Sequence, residues 1–219
     1  MNIKQSIVKF TMLLGFCFFT VICWAQNNGK QVVAGITKSS YSAATNSDFE
    51  AAIGSGETLS QNGNYERAIS AFYQALKIAR QNDPHNIAFA HNKIGNVFNL
   101  LSNWDSAFRH YELALKYAEQ YQHPDFRKSY VYNNLGTILA QQKQYEKALY
   151  YIERGIDDAQ KNKDTLFLVT LLLNKGINQK FREQFDEALI SFNQAKTIGV
   201  KKQLHDKVFK VLLNIGNMQ

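Results

Sequence analysis

Only two of the 219 residues are proline and only two are cysteine. With Pro84 and Pro124 alone to interrupt them, long helices can run unbroken. Runs that alternate apolar and polar residues, as a half-buried strand would, are missing as well. Together these absences point to an all-α chain. Both cysteines, Cys17 and Cys23, fall within the first 25 residues. Once that segment is removed the chain has no thiol, so it can form no disulfide and packing alone must hold it. Neither cysteine follows a small residue, since Cys17 comes after Phe16 and Cys23 after Ile22, which argues against a lipidated N-terminus. Long hydrophobic runs are scarce too. The stretch from Phe10 to Trp24 is about fifteen residues, against the roughly twenty that a membrane-spanning helix needs.

That short apolar run follows Lys4 and Lys9 and ends in Cys23-Trp24-Ala25, the layout of a bacterial secretory signal cut before Gln26. Residues 1–25 are therefore assigned to a signal peptide, and the expected location is periplasmic or extracellular. An uncleaved signal would instead act as a membrane tether. From Gln26 to Asp48 the chain is rich in Gln, Asn, Ser, Thr and Gly, the composition of a flexible leader. The formal net charge is +7, or +5 without Lys4 and Lys9. The cations are interspersed with Asp and Glu, which describes a solvated mixed-charge surface and argues against a nucleic-acid partner.

What the chain does contain is a repeated register. Gly56, Gly95, Gly136, Gly176 and Gly216 are spaced by 39, 41, 40 and 40 residues. Twelve residues after each of the first four comes an alanine: Ala68, Ala107, Ala148 and Ala188. Three residues before each alanine sits an aromatic: Tyr65, Trp104, Tyr145 and Phe185. A fixed period of this size marks a stacked repeat array. Within each block two stretches follow helical spacing, for example Tyr132/Leu135/Gly136/Leu139 and then Tyr145/Ala148/Leu149/Ile152, so each block is a helical hairpin. Turn chemistry marks the first two breaks, Asn62-Gly63-Asn64 and Ser102-Asn103, and only polar residues mark the others. A glycine inside a helix costs roughly 1 kcal/mol relative to alanine, so the register implies close helix–helix approach. The alanine is expected to be the matching small surface, with the aromatics filling the space between hairpins. A lone hairpin cannot bury its apolar face, so stability is expected from stacking.

Tyr132-Asn133-Asn134-Leu135-Gly136 followed by Gln144-Tyr145-Glu146-Lys147-Ala148-Leu149 resembles the tetratricopeptide repeat, as do Gly63 to Phe72 and Gln184 to Leu189. The resemblance covers residues 49–219 and implies a right-handed superhelical solenoid of antiparallel helix pairs. The blocks run about 49–87, 88–128, 129–168 and 169–208, with a half repeat at 209–219. The period exceeds the family's usual length of about 34 residues, and the closing proline is absent. Pro84 and Pro124 instead stand where the next first helix would open.

In the family, one face of the first helices lines a concave groove. Here the resemblance places Phe89, Asn92, Asn96 and Asn99 on it in the second copy, and Tyr130, Asn133, Asn134 and Thr137 in the third. Asn174 and Phe181 follow from the fourth, and Asn214 and Asn217 from the fifth. Side-chain amides both donate and accept, so such a row can hydrogen-bond the backbone of an extended peptide. Phe89, Tyr130 and Phe181 would line side-chain pockets. The expected partner is a protein or an extended peptide. The family's mode of clamping a terminal carboxylate is not expected, because the corresponding first-copy positions are Ile53 and Glu57.

Five histidines, His85, His91, His110, His123 and His205, include no i, i+4 pair around a glutamate as a helical zinc site would require. No phosphate-cradling loop or nucleophile elbow occurs. No catalytic residue, cofactor, metal or small-molecule substrate is therefore expected, and His91 is assigned to packing. Carboxylates gather where second helices begin, at Glu66, Asp105, Glu146 and Asp186-Glu187, where they suit the helix dipole. The fifth copy stops after its first helix. That leaves two functional classes open: an exported binding scaffold, or the truncated periplasmic sensor region of a membrane-bound regulator with a histidine kinase or helix-turn-helix output.

Overall fold

The computed structural model describes residues 46–123 and 125–218. The signal peptide, the leader up to residue 45, and Pro124 lie outside the described residues. Residues 46–48, assigned above to the leader, are already helical. The compact unit is Phe49–Gln219. Its helices are α1 (46–61), α2 (Tyr65–Asn82), α3 (Ile87–Leu100), α4 (Trp104–Tyr121) and α5 (Lys128–Gln141). They continue as α6 (Tyr145–Lys161), α7 (Thr165–Phe181), α8 (Phe185–Lys201) and α9 (His205–Gly216). There is no strand among the described residues. Odd-numbered helices are the first members of antiparallel pairs and even-numbered ones the second, stacked as a solenoid. Carboxylates do occupy the first turns of α2, α4, α6 and α8.

The short turns share one geometry. Gly63, Ser102, Lys143 and Glu183 all have φ between 55° and 76°, each seven residues after its repeat's glycine. In each case the next N–H reaches back five residues to a carbonyl, as in Asn103 to Phe98 at 2.9 Å and Gln144 to Leu139 at 2.8 Å. This is the Schellman closure, which satisfies carbonyls left over at a helix end. Lys163 and Gln203 repeat it between hairpins, with φ of 57° each. Pro84 opens a 3₁₀ turn, Pro84–Asn86, that leads into α3 rather than opening α3 itself.

The glycines work differently from the small-on-small contact expected of them. A Cβ on Gly56 would lie 2.5 Å from the Phe72 ring, on Gly95 2.7 Å from Tyr111, on Gly136 2.7 Å from Ile152, and on Gly176 2.5 Å from Phe192. Each of those side chains comes sixteen residues after its glycine. The glycine is thus a socket, and a large side chain of the second helix is the knob that fills it. The alanines, all fully buried, let the backbone of the second helix come close: the Ala148 carbonyl oxygen is 3.2 Å from the position of a Gly136 Cβ.

A second line of small residues faces the next repeat. Gly155 lies against Leu171 and Gly199 against Val208, with Ala75, Ala114 and Ala195 buried at the positions equivalent to Gly155. The aromatics named above fill the inter-hairpin space only in part. Tyr145 stacks on Phe181 of α7 at 5.3 Å, but Phe185 is exposed. The buried clusters span neighbouring repeats. One joins α1, α2 and α3, a second α3, α4 and α5, and a third α6 to α9.

His91 is a core residue, as expected, and it is not alone there. Its Nδ1 lies 3.0 Å from His110 Nδ1, and its ring stacks on Tyr117 at 5.6 Å. His110 Nε2 meets the Tyr73 hydroxyl at 3.2 Å. His91 Nε2 is buried without a partner. Burial, then the charge of a protonated His110 and of Arg80, lowers the His91 pKa to about 4.

Two outcomes follow from this packing. Gly95→Ala gains about 1 kcal/mol of helix propensity but drives a methyl into a ring that is fully buried. With overpacking costing about 1–3 kcal/mol, thermal unfolding should show a net loss. Gly216→Ala, where a Cβ would meet nothing within 4 Å, should be neutral or stabilising by at most about 1 kcal/mol. The second outcome concerns His91, which stays neutral when folded, whereas the unfolded chain binds a proton near pH 6.5. Stability should therefore be level above that value and fall as the pH drops towards 4. Between pH 7 and 5 the loss should be about 2 kcal/mol, and urea unfolding of His91→Phe should show that much less slope.

Candidate functional site: the amide-lined groove

The face expected to line a groove is carried by α3, α5 and α7. Their glycine and apolar positions turn inward, and the residues on the outward side project as neighbouring rows. Because the helices lie side by side, residues 36 to 41 positions apart meet across neighbouring repeats. Asn134 Nδ2 donates to Asn96 Oδ1 at 3.2 Å, and the Tyr111 hydroxyl donates to the same oxygen at 2.8 Å. Asn174 Nδ2 donates to Asn133 Oδ1 at 2.7 Å. Lys93 pairs with Glu57 one repeat earlier. These contacts form a polar ladder across α1, α3, α5 and α7. Burial pushes the Tyr111 phenol well above its ordinary pKa, so it stays a neutral donor.

The row is thus partly satisfied from within. Asn133, Asn134 and Asn174 are half-buried, as are Asn92, Asn96 and Asn99. Thr137 donates to the Asn133 backbone oxygen at 2.9 Å, which fixes its hydroxyl. Asn214 donates to the Lys210 backbone oxygen at 2.9 Å. Asn217 is exposed in the turn after α9, and neither it nor Asn214 joins the ladder. The Asn92 Oδ1 is buried without a partner.

The three aromatics differ. Phe89 is half-buried, stacked on His123 at 6.2 Å, with Lys93 Nζ 5.0 Å above its ring. Tyr130 is exposed on one side and stacked face to face on Phe167 at 3.8 Å, its hydroxyl 3.3 Å from Asp164 Oδ2. Phe181, exposed beside Tyr145, helps to form a pocket of about 360 Å³ between α5, α6 and α7. Thr137, Asn174, Ile177 and Asn178 line that pocket with it. Three of the residues expected in the groove therefore converge on one cavity, whose walls are mostly apolar.

Two further features were missed by sequence reasoning. A pocket of about 800 Å³ lies away from the ladder, between the end of α4, the connection into α5 and the end of α6. Arg154 lies on its wall, held by the hydroxyls of Tyr132 at 3.3 Å and Tyr150 at 3.0 Å. The Tyr150–Arg154 spacing of one helical turn was a signal for that contact. Cations and carboxylates share the lining, among them Lys128, Lys161, Asp157 and Asp158. Among the described residues, no group of three or more His, Cys, Asp or Glu is placed to hold a metal ion, and no helix is long and apolar enough to cross a membrane.

Known proteins share this architecture. The chain is similar to BtubC (BKLC) from P. vanneervenii, with a TM-score of 0.68 at 19% identity over 82% of each chain. It is also similar to a Rap protein crystallised with Competence and Sporulation Factor, with a TM-score of 0.61 at 15% identity over 77% of this chain and 47% of that one. In sequence it is 31% identical over 114 residues to Response regulator aspartate phosphatase I of Bacillus subtilis (strain 168). That match takes in 52% of this chain and only 29% of the relative's length. The tetratricopeptide repeat pattern fits residues 48–120 and 128–198, well over half of the sequence. Repeated glycine sockets, Schellman turns and paired helices agree with that match, and the chain belongs to the tetratricopeptide repeat family.

Proposed function

We propose that this chain is a non-catalytic binding scaffold whose groove on α3, α5 and α7 holds an extended segment of a partner protein or peptide. The observation that carries the reading is the convergence of Thr137, Asn174 and Phe181 on one mostly apolar pocket beside the amide ladder. Inter-repeat hydrogen bonds hold Asn133, Asn134 and Asn174 in place, so little side-chain entropy is left to lose on binding. Amides so held offer their remaining donors and acceptors to a peptide backbone. The apolar pocket would take one bulky side chain, and Tyr130, rigid against Phe167, would pack against another. The fold-level likeness to a Rap protein bound to a signalling factor supports a peptide as ligand. Export of the chain, resting on Lys4, Lys9 and the Phe10–Trp24 run, belongs to the same proposal.

A displayed library of random linear peptides, selected on the purified protein, provides the test. Enriched peptides should carry a bulky apolar residue. Asn133→Ala, Asn134→Ala and Asn174→Ala combined should weaken them at least tenfold, about 1.4 kcal/mol, and Phe181→Ala should do so alone. Helical content by circular dichroism should stay unchanged. Binding that survives both sets of changes would place the ligand elsewhere.

A further inference from the structure

The three helices that carry the amide row hold no carboxylate. Helices α3, α5 and α7 contain Lys93, Lys128, Lys175 and Lys180 but neither Asp nor Glu. Between Ile87 and Lys201 every carboxylate belongs to a second helix or to a connection. Two of the four lysines are answered from other helices, Lys93 by Glu57 and Lys175 by Glu153 at 2.9 Å. Lys180 forms no ion pair among the described residues, and its Nζ lies 5.9 Å from the centre of the Phe181 ring.

That ring is a wall of the pocket of about 360 Å³, so the Lys180 charge stands beside the cavity. A second cation, Lys143, is in the lining itself and is equally without an ion pair among the described residues. No Asp or Glu lines the pocket. Glu146 and Glu183, three residues from Lys143 and Lys180, pair with neither. The apolar walls are Ala140, Tyr145, Ile152, Ile177 and Phe181, with the Tyr145 and Phe181 rings 8° from parallel.

The fold itself calls for neither lysine. The counterparts of Lys143 in the other turns are Gly63, Ser102 and Glu183, and those of Lys180 are Ser60, Asn99 and Ala140. Both lysines do lie near helix C-termini, where a cation suits the dipole. A helix end carries only about half a charge, however, and the N-termini of α6 and α8 oppose those ends across the same short turns. Residues 140–147 and 177–184, which bound the pocket, carry Lys143, Lys147, Lys180 and Arg182 against Glu146 and Glu183. The excess of positive charge therefore stands. A ligand carboxylate there would meet unpaired ammonium groups, whereas a ligand cation would be repelled.

We propose that the pocket between α5, α6 and α7 selects acidic linear segments: a bulky apolar side chain enters it, and an Asp or Glu next to that residue in the ligand pairs with Lys143 or Lys180. The site is the one read above as a peptide groove, on which this rests; what is added is the charge of the ligand.

The displayed random peptides, selected on the purified protein at low ionic strength, test it. Enriched sequences should carry Asp or Glu beside the bulky apolar residue. The tightest of them, synthesised with Asn or Gln in place of the acid, should bind about fivefold more weakly. Lys143→Gln and Lys180→Gln combined in the protein should give the same loss, and either change should flatten the dependence of affinity on salt. Lys143→Glu with Lys180→Glu should turn the selection towards Lys and Arg, which a purely structural pair of lysines would not do. Circular dichroism should show unchanged helix content in each variant. The proposal is overturned if the enriched peptides show no excess of acid, if the neutral peptide binds as tightly, or if the lysine variants leave affinity and salt dependence unchanged. In those cases a loss of binding with Phe181→Ala would leave the groove reading standing. A library from which nothing binds overturns both.

Discussion

The contact on which the rest of the fold depends is a large side chain pressed onto a bare stretch of helix backbone. Phe72, Tyr111, Ile152 and Phe192 each occupy the space a Cβ would take on a glycine sixteen residues earlier. That offset leaves room for half a first helix, a tight turn, and about two turns of the second helix. The turn must therefore be short and its geometry uniform, and the left-handed residue always falls seven positions after the glycine. Only Gly63 takes up that conformation without a side chain; Ser102, Lys143 and Glu183 accept a strain of about 1 kcal/mol each. Close approach thus dictates the turns, and not the reverse.

Small residues on the other side of each second helix carry the same constraint forward. Gly155 against Leu171 and Gly199 against Val208 let the next first helix come close. The result is a one-dimensional object in which each layer is held by its neighbours. Its polar groups follow that logic. Because successive first helices lie side by side, an amide in one repeat finds its partner on the next first helix, as Asn96 finds Asn134 and Asn133 finds Asn174. His91 and His110 instead pair within one hairpin, as Tyr111 and Asn96 do, and one His91 ring nitrogen is buried without a partner.

Much of this architecture was legible in the sequence, because glycine and alanine mark places where only small residues fit. The knobs were harder to see. Phe, Tyr, Ile and Phe share bulk but no side-chain chemistry, and the small residues drew attention to themselves as one another's partners. The turns at Lys143 and Glu183 gave no local signal, since those residues have no preference for positive φ. The amides were legible as a set of positions but not as a ladder. Spacing alone shows which amides share a face, whereas their pairing depends on the lateral offset between helices. The convergence of Thr137, Asn174 and Phe181 on one pocket depends on that offset too.

The first helices serve two purposes at once, and helical geometry keeps them separate. The glycine-centred side of α3, α5 and α7 is filled by a second helix, and the side roughly 150° away carries the amides. A change on the amide side therefore need not disturb the socket. The fifth repeat isolates these roles. In α9 the docked side is complete, with Val211 buried as deeply as any core residue, while the socket side lies open. Asn214 there bonds only within its own helix, to Lys210. The amide ladder thus arises where first helices succeed one another and not from single repeats, so the order of the amide-bearing face depends on the stacking that the glycines permit.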